Sequence, residues 1–464
     1  MRFLSMASPW PDSIGSCVDR IAAAATRWCI YLAAALFLSA PVHAVHVSPS
    51  GTGEALIVPL YTTEGGFDTL LEVANTRESR MHAVALKANF VSESGDVAAT
   101  LNVYLRAAGS WALALAGNED GGATASVVDG CTLAAGPDDA VAAVDSFDLG
   151  SARNGYIEIV EMGQLVDVDL RDALYGPDCD AFADYWNNVI SLGDDPDSVL
   201  APPPGAIRAG ASLVNVSRGT MYSVPATPLA NFRTVEWHSP PAQATPDLSS
   251  AHNDALVTTS LNCFASPCIA DEWDDPVDAV SAALMVYKMT GGYVISEQIE
   301  ARTEWVLTAP MLRHAEEESA EELEHAAFFL YFDRNGDALA NVVPLPPPPF
   351  NQFSMNDHAS ITESVLSMPI GHKHDDRDPS QARILAITPG AGRSPFDSGS
   401  VRVGLGGKGA PLMSLAGNEY RGRPVIGIIL QEFNNGMLVD DAGRSRVASY
   451  GNVFLPGRTM ERAE

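Results

Sequence analysis

The sequence predicts a mainly β protein with an antiparallel β-sandwich architecture of immunoglobulin-like type, built as two sandwich domains with acidic loop insertions. Two observations carry this expectation. Short segments with alternating apolar and polar residues recur at regular spacing, and polar or glycine-rich turns separate them. The turn residues also come too often for long helices to compete.

In the first half, residues 56–62 read as a strand, Gly65-Gly66 as a turn, and residues 69–74 (TLLEVA) as a second strand ended by Asn75-Thr76. Residues 82–91 (HAVALKANFV) form a third, with Leu86, Ala88 and Phe90 facing one way and Lys87 and Asn89 the other. After Ser94-Gly95-Asp96, strands follow at 98–105 and 110–115. Residues 120–148, rich in Asp, Gly and Ala, read as a long insertion. Residues 155–162 (GYIEIVEM) are a strand, 181–192 have helical spacing beside Cys179, and 194–205 form a linker containing Pro202, Pro203 and Pro204. Strands resume at 211–216 and 220–224 around Arg218-Gly219. The Pro- and Ser-rich stretch 239–250 is the expected cut between domains at 45–240 and 250–464.

The second half repeats the style. Residues 280–289 fit strand or helix, and Gly291-Gly292 is expected to turn the chain into 293–298. A strand at 303–308 (TEWVLT), an acidic run at 316–325 and a buried strand at 326–332 (AAFFLYF) follow. Residues 344–349 are a proline tract with extended backbone. The last expected strands are 401–405, 425–431 and 449–454.

Residues 1–44 read as a cleavable export signal. Arg20 and Arg27 supply charge, residues 28–38 (WCIYLAAALFL) are an uninterrupted apolar run, and SAPVHA ends it with small residues at Val42 and Ala44. The run is shorter than the roughly 20 residues a membrane span needs. The chain beyond it is expected to have no transmembrane segment. Without residues 1–44 the chain keeps 25 basic and 56 acidic residues, a net charge of −31. That balance argues against nucleic-acid partners and anionic lipid, and is compatible with divalent cations. Four cysteines remain, and an even count in an exported chain suggests disulfides. Cys263–Cys268 closes the tight loop CFASPC, and Cys131 then pairs with Cys179. The spacing does not suit a zinc site.

Candidate chemistry is sparse. Asp333, Asn335 and Asp337 have the acidic spacing of the start of a calcium loop, so calcium is the one cofactor considered. Pro344 occupies the place of the bidentate Glu, and an Asn-Gly hairpin turn explains the same residues. His372 and His374, followed by Asp375-Asp376, read as an exposed polar loop with no third metal ligand. Residues 404–409 match G-x-G-x-x-G but run into Ala410-Pro411 and read as a plain glycine-rich loop. Neither G-x-S-x-G nor H-E-x-x-H occurs, and no catalytic residue is nominated. Trp111, Trp186, Trp237, Trp273 and Trp305 suit either a sugar site or the core.

The stretches GEALIVPLY (53–61), FDTLLEVANT (67–76) and LNVYLRAAGSWALAL (101–115) resemble the start of a group of exported proteobacterial proteins with no assigned activity. TEWVLTAP (303–310) and PVIGIILQEF (424–433) resemble the same group. The resemblance implies a common architecture and an envelope or surface location, and brings no catalytic residues. These readings point to an exported non-enzymatic envelope or cell-surface protein with a binding or structural role. It would meet a protein or glycan partner in the periplasm, on the cell surface or outside the cell. The alternative is a secreted hydrolase acting on polysaccharide, which a clustered pair of acids beside exposed tryptophans in a groove would mark.

Overall fold

The computed structural model describes residues 44–462 apart from 137–139, 177–178, 191–192, 194, 252–256, 262–268, 315–326, 339–356, 360, 362, 373–382, 388–391, 407–410 and 440. Residues 1–43 of the export signal, Cys263 and Cys268, the acidic run, the proline tract and His374 to Asp376 therefore lie outside the described residues. Strands dominate, pair almost throughout in antiparallel fashion, and stack face to face without closing a barrel. No helix among the described residues is long and apolar enough to cross a membrane.

The largest sheet is organised around the long strand Asn154–Leu165, paired on one side with Ala55–Thr62 and on the other with Val84–Ser92. Val97–Leu105 and Cys131–Ala135 continue it outward. A second sheet, centred on Asp68–Asn75, Ser110–Gly117 and Ile207–Asn215, shares a core with it. Leu56, Val58, Leu86, Phe90 and Ile157 of the first sheet meet Leu71, Val73, Trp111 and Leu213 of the second in one apolar cluster. Trp111 packs edge-on to Phe90 and donates its indole N–H to Thr132 Oγ1 at 3.0 Å. Burying side chains of this size contributes about 1.5–3 kcal/mol each.

The expected alternation along Val84–Ser92 is present, yet the whole strand is buried. Its polar face is covered by the 239–245 segment. Lys87 Nζ donates to the Pro240 carbonyl at 2.8 Å, Asn89 Nδ2 to Ala244 at 2.7 Å and Asn102 Nδ2 to Ser239 at 2.9 Å. Pro240, Pro241 and Pro246 lack an N–H, so this segment brings carbonyls into the interior with fewer donors to satisfy. The expected cut at 239–250 thus packs against the first sheet, with Ser239, Asp247, Leu248 and Ser250 buried and Ala242 and Gln243 exposed. Beyond it, Val257–Leu261 and Ile269–Trp273 extend the first sheet through Ala44–Val47.

Two further sheets follow, one containing Lys288–Val294, Ala327–Phe332 and Ser398–Gly404, the other Arg302–Thr308, Val365–His372, Ile426–Val439 and Ser445–Phe454. Met289, Tyr293, Trp305, Leu307, Met368, Val403 and Ile429 fill the space between them. Val306, Ile428 and Leu430, on the opposite face of the second of these sheets, join the core of the first sandwich. Thr308 Oγ1 also donates to the Pro59 carbonyl at 2.5 Å.

Two local expectations are corrected. Residues 120–148 are not a plain insertion: they form Ala123–Asp129, Cys131–Ala135, Val141–Ala143 and Ser146–Asp148. Ala123 and Ala125 are the buried members of the alternation, and side chains this small give a weak hydrophobic period. Gly291-Gly292 is not a turn but the middle of Lys288–Val294. A Cβ at Gly291 would lie 2.2 Å from Ile429 Cδ1 and 3.0 Å from Trp305 Cζ2, so the glycine admits those side chains against the strand backbone. Residues 280–289 resolve into the helix Pro276–Leu284 and the start of that strand.

Cys131 and Cys179 are joined, with Cα atoms 5.5 Å apart and a sequence separation of 48. The bond ties the edge of the first sheet to the helix Asp180–Asp184, where Tyr104, Met162, Phe182 and Trp186 form a small apolar cluster. Replacing both cysteines by serine is expected to lower the unfolding free energy by about 2–4 kcal/mol, read from urea melts of oxidised protein.

Candidate functional site

The acidic residues singled out in the sequence form a hairpin turn. Asp333 Oδ1 accepts the backbone N–H groups of Asn335 and Asp337 at 2.8 and 2.9 Å, and Asp333 N donates to the Asp337 carbonyl at 3.0 Å. Asn335 and Asp337 are exposed. His372 pairs with Asp397 at 3.2 Å. Trp111, Trp186, Trp273 and Trp305 are buried core residues, and Trp237 is half-buried beneath the Arg233 guanidinium at 4.7 Å.

Among the described residues, the acidic and imidazole groups that converge are Glu158, Asp247 and His314. Glu158 projects from the long strand Asn154–Leu165, Asp247 from the covering segment, and His314 from the turn Leu312–His314. Arg313 occupies the centre of this group. Its Nε lies 3.2 Å from Glu158 Oε1 and its second terminal nitrogen 2.6 Å from Asp247 Oδ2. The Tyr156 hydroxyl adds a hydrogen bond to Glu158 Oε1 at 3.0 Å. Burial alone would lower the Arg313 guanidinium, but the Glu158, Tyr156 and Asp247 groups outweigh it and raise it. A guanidinium thus stands where a metal ion would have to sit, and the cluster is structural.

A second acidic pair, Glu161 and Glu54, involves the same strand three residues further on. Glu161 is fully buried and accepts the Gly205 N–H at 2.7 Å, with Oε1 unpartnered. Burial, with the Glu54 charge adding to it, pushes Glu161 up to about 8. Glu54 is raised for the same first reason, its desolvation. A third acid, Glu304, is buried against Ser367 and accepts the N–H groups of Ile384 and Leu385, the latter at 3.1 Å. Burial raises its carboxyl.

Among the described residues, a polar site that opens to solvent is different. A cleft of about 310 Å³ is lined by Arg218, Arg302, Glu432, Asn434, Met437 and Ser449, among others. Arg218 comes from the turn between Ile207–Asn215 and Thr220–Pro225, and Arg302 opens Arg302–Thr308. Both guanidinium groups flank Glu432, at 3.6 and 3.8 Å. Glu432 Oε2 also accepts the Tyr222 hydroxyl at 2.8 Å. Each arginine spends one N–H on a carbonyl of the same short segment, Arg218 on Ile384 at 2.8 Å and Arg302 on Arg383 at 3.4 Å. Their side chains are 35% and 33% exposed, and both line the cleft. Sequence reasoning did not nominate these residues. They come from distant segments, and the one available signal was the scarcity of basic residues, 28 against 58 acidic.

Two outcomes are expected. Arg313→Met leaves Glu158 and Asp247 buried without a counter-charge, and costs about 3–5 kcal/mol of unfolding free energy. For Glu161, below pH 4.5 both folded and unfolded chains hold the proton, and between 4.5 and about 8 only the folded chain does, so stability falls as pH rises through that window. Glu161→Gln removes this slope, so urea melts should show it gaining on the parent protein by about 1 kcal/mol per pH unit from about pH 5 to about pH 8. Comparison of the chain with protein-family models, with curated proteins and with solved structures finds no match in any of the three.

Proposed function

We propose that this chain is an exported, non-enzymatic envelope or cell-surface protein whose role is to bind. The observation that carries the reading is how the polar groups are used. The buried acids are engaged within the fold: Glu158 and Asp247 by Arg313, Glu304 by backbone amides, and Glu161 by Gly205. Among the described residues, the cleft beside Glu432 presents arginine donors with a single carboxylate. Among the described residues, the tryptophans that a polysaccharide hydrolase would line its groove with are in the core, apart from Trp237 under Arg233. The export pattern of residues 1–44 and the Cys131–Cys179 disulfide support an oxidising compartment.

Fractionation of the native host, with protease added to intact cells and the protein followed by antibody, tests the reading. Release into the medium, cleavage on intact cells, or protection until the outer membrane is opened all agree with export, and separate surface from periplasm. Recovery in the cytosolic fraction with residues 1–44 intact overturns it.

A further inference from the structure

We propose that the cleft walled by Arg218, Arg302 and the hairpin strands Ile426–Val439 and Ser445–Phe454 binds a small monoanionic carboxylate carrying an apolar group. The assignment rests on the binding reading above and names its ligand class.

Charge comes first. The lining holds two guanidinium groups and one carboxylate, Glu432, in a chain whose net charge is −30. One positive charge is therefore left over at this spot, against the sign of the molecule. Glu300, which accepts from Asn434 Nδ2 at 2.7 Å, is exposed and outside the lining. A surplus of one suits a monoanion; Glu432 opposes a second negative charge.

Geometry comes next. The two guanidinium groups are oriented before any ligand arrives, because the Arg383 and Ile384 carbonyls each hold one of their N–H groups. Their unspent donors are forks of the kind that match a carboxylate, and preorganisation keeps the ordering cost of binding low. Glu432 does not satisfy them, since its contacts with the arginines are 3.6 and 3.8 Å and its Oε2 is taken by Tyr222. The volume, about 310 Å³, lies at the small end of ligand pockets.

The apolar half of the ligand is read from the rim. Met437 lines the cleft yet is 58% exposed, and Val439, two residues along the same strand, is 68% exposed. Val216, next to the lining residue Ser217, is 80% exposed. A large apolar side chain left in water at a charged cleft offers a face that an apolar group can cover, and methionine adapts readily to such a partner.

The probe is N-acetyl-leucine, titrated calorimetrically into the full exported chain at low salt, with N-acetyl-leucinamide as the uncharged control and inorganic phosphate as the dianionic one. The carboxylate is expected to bind at least about tenfold more tightly than the amide or phosphate. Arg302→Gln should weaken it by about tenfold, while Arg302→Lys, which keeps the charge without the fork, recovers only part. Glu432→Gln keeps an acceptor for Tyr222 and removes the opposing charge, so it should tighten binding severalfold. This opposite sign keeps the test decisive even where an arginine variant folds poorly. No heat with N-acetyl-leucine, equal binding of the amide, tighter binding of phosphate, or indifference to Arg302→Gln and Glu432→Gln each overturn the assignment. Those results leave the binding reading standing as long as the protein is exported; cytosolic recovery removes that reading instead.

Discussion

Arg313, held between Glu158 and Asp247, ties together three parts of the chain that are far apart in sequence. Glu158 belongs to the central strand of the first sheet, Asp247 to the segment that covers that sheet, and Arg313 to the turn that follows Arg302–Thr308 of the second sandwich. Each charge is taken out of water, and each is tolerable only because the others are in place. The segment 239–250 and the approach of the second sandwich are coupled through one guanidinium.

That coupling lets the first sheet bury a face that is chemically suited to water. Lys87, Asn89 and Asn102 would normally point to solvent, and here their donors meet the carbonyls of a proline-containing segment. The cost shows in Lys87, which burial lowers to about 7. The opposite face of the sheet is conventional, a dry stack of aliphatic and aromatic side chains closed by Trp111. One strand thus contributes to two interiors of different chemistry.

The same economy connects the interior to the open cleft. The 383–387 segment gives its N–H groups at Ile384 and Leu385 to the buried Glu304, and its carbonyls at Arg383 and Ile384 to Arg302 and Arg218. A buried carboxylate orients a short piece of backbone, and that backbone orients two arginines at the surface. The two arginines of the cleft are therefore tied through one short segment to a buried acid.

The strands were legible where the side chains are large and the burial is regular. The stretches around Leu56, Leu71, Phe90, Trp111, Ile157, Trp305 and Ile428 all appear as strands, because short runs of big apolar groups, alternating in Asp68–Asn75 and Ser110–Gly117 and buried nearly throughout in Ala55–Thr62 and Asn154–Leu165, leave a strong local signature. The Cys131–Cys179 pair was legible too, as the partner of an expected Cys263–Cys268 loop that lies outside the described residues. Where alanine replaces the large residues, at Ala123 and Ala125, the signature faded, and at Gly291 a glycine that reads as a turn serves instead to admit Trp305 and Ile429. Sequence by itself determined the β class, the acidic balance and the order of most strands, because these depend on neighbours one or two residues apart. The tertiary structure alone decided that the polar face of Val84–Ser92 is interior, that Arg313 fills the acidic cluster, and that Arg218 and Arg302 meet across a cleft. Each of these depends on groups that only folding brings within a few ångströms, and no local pattern encodes that approach.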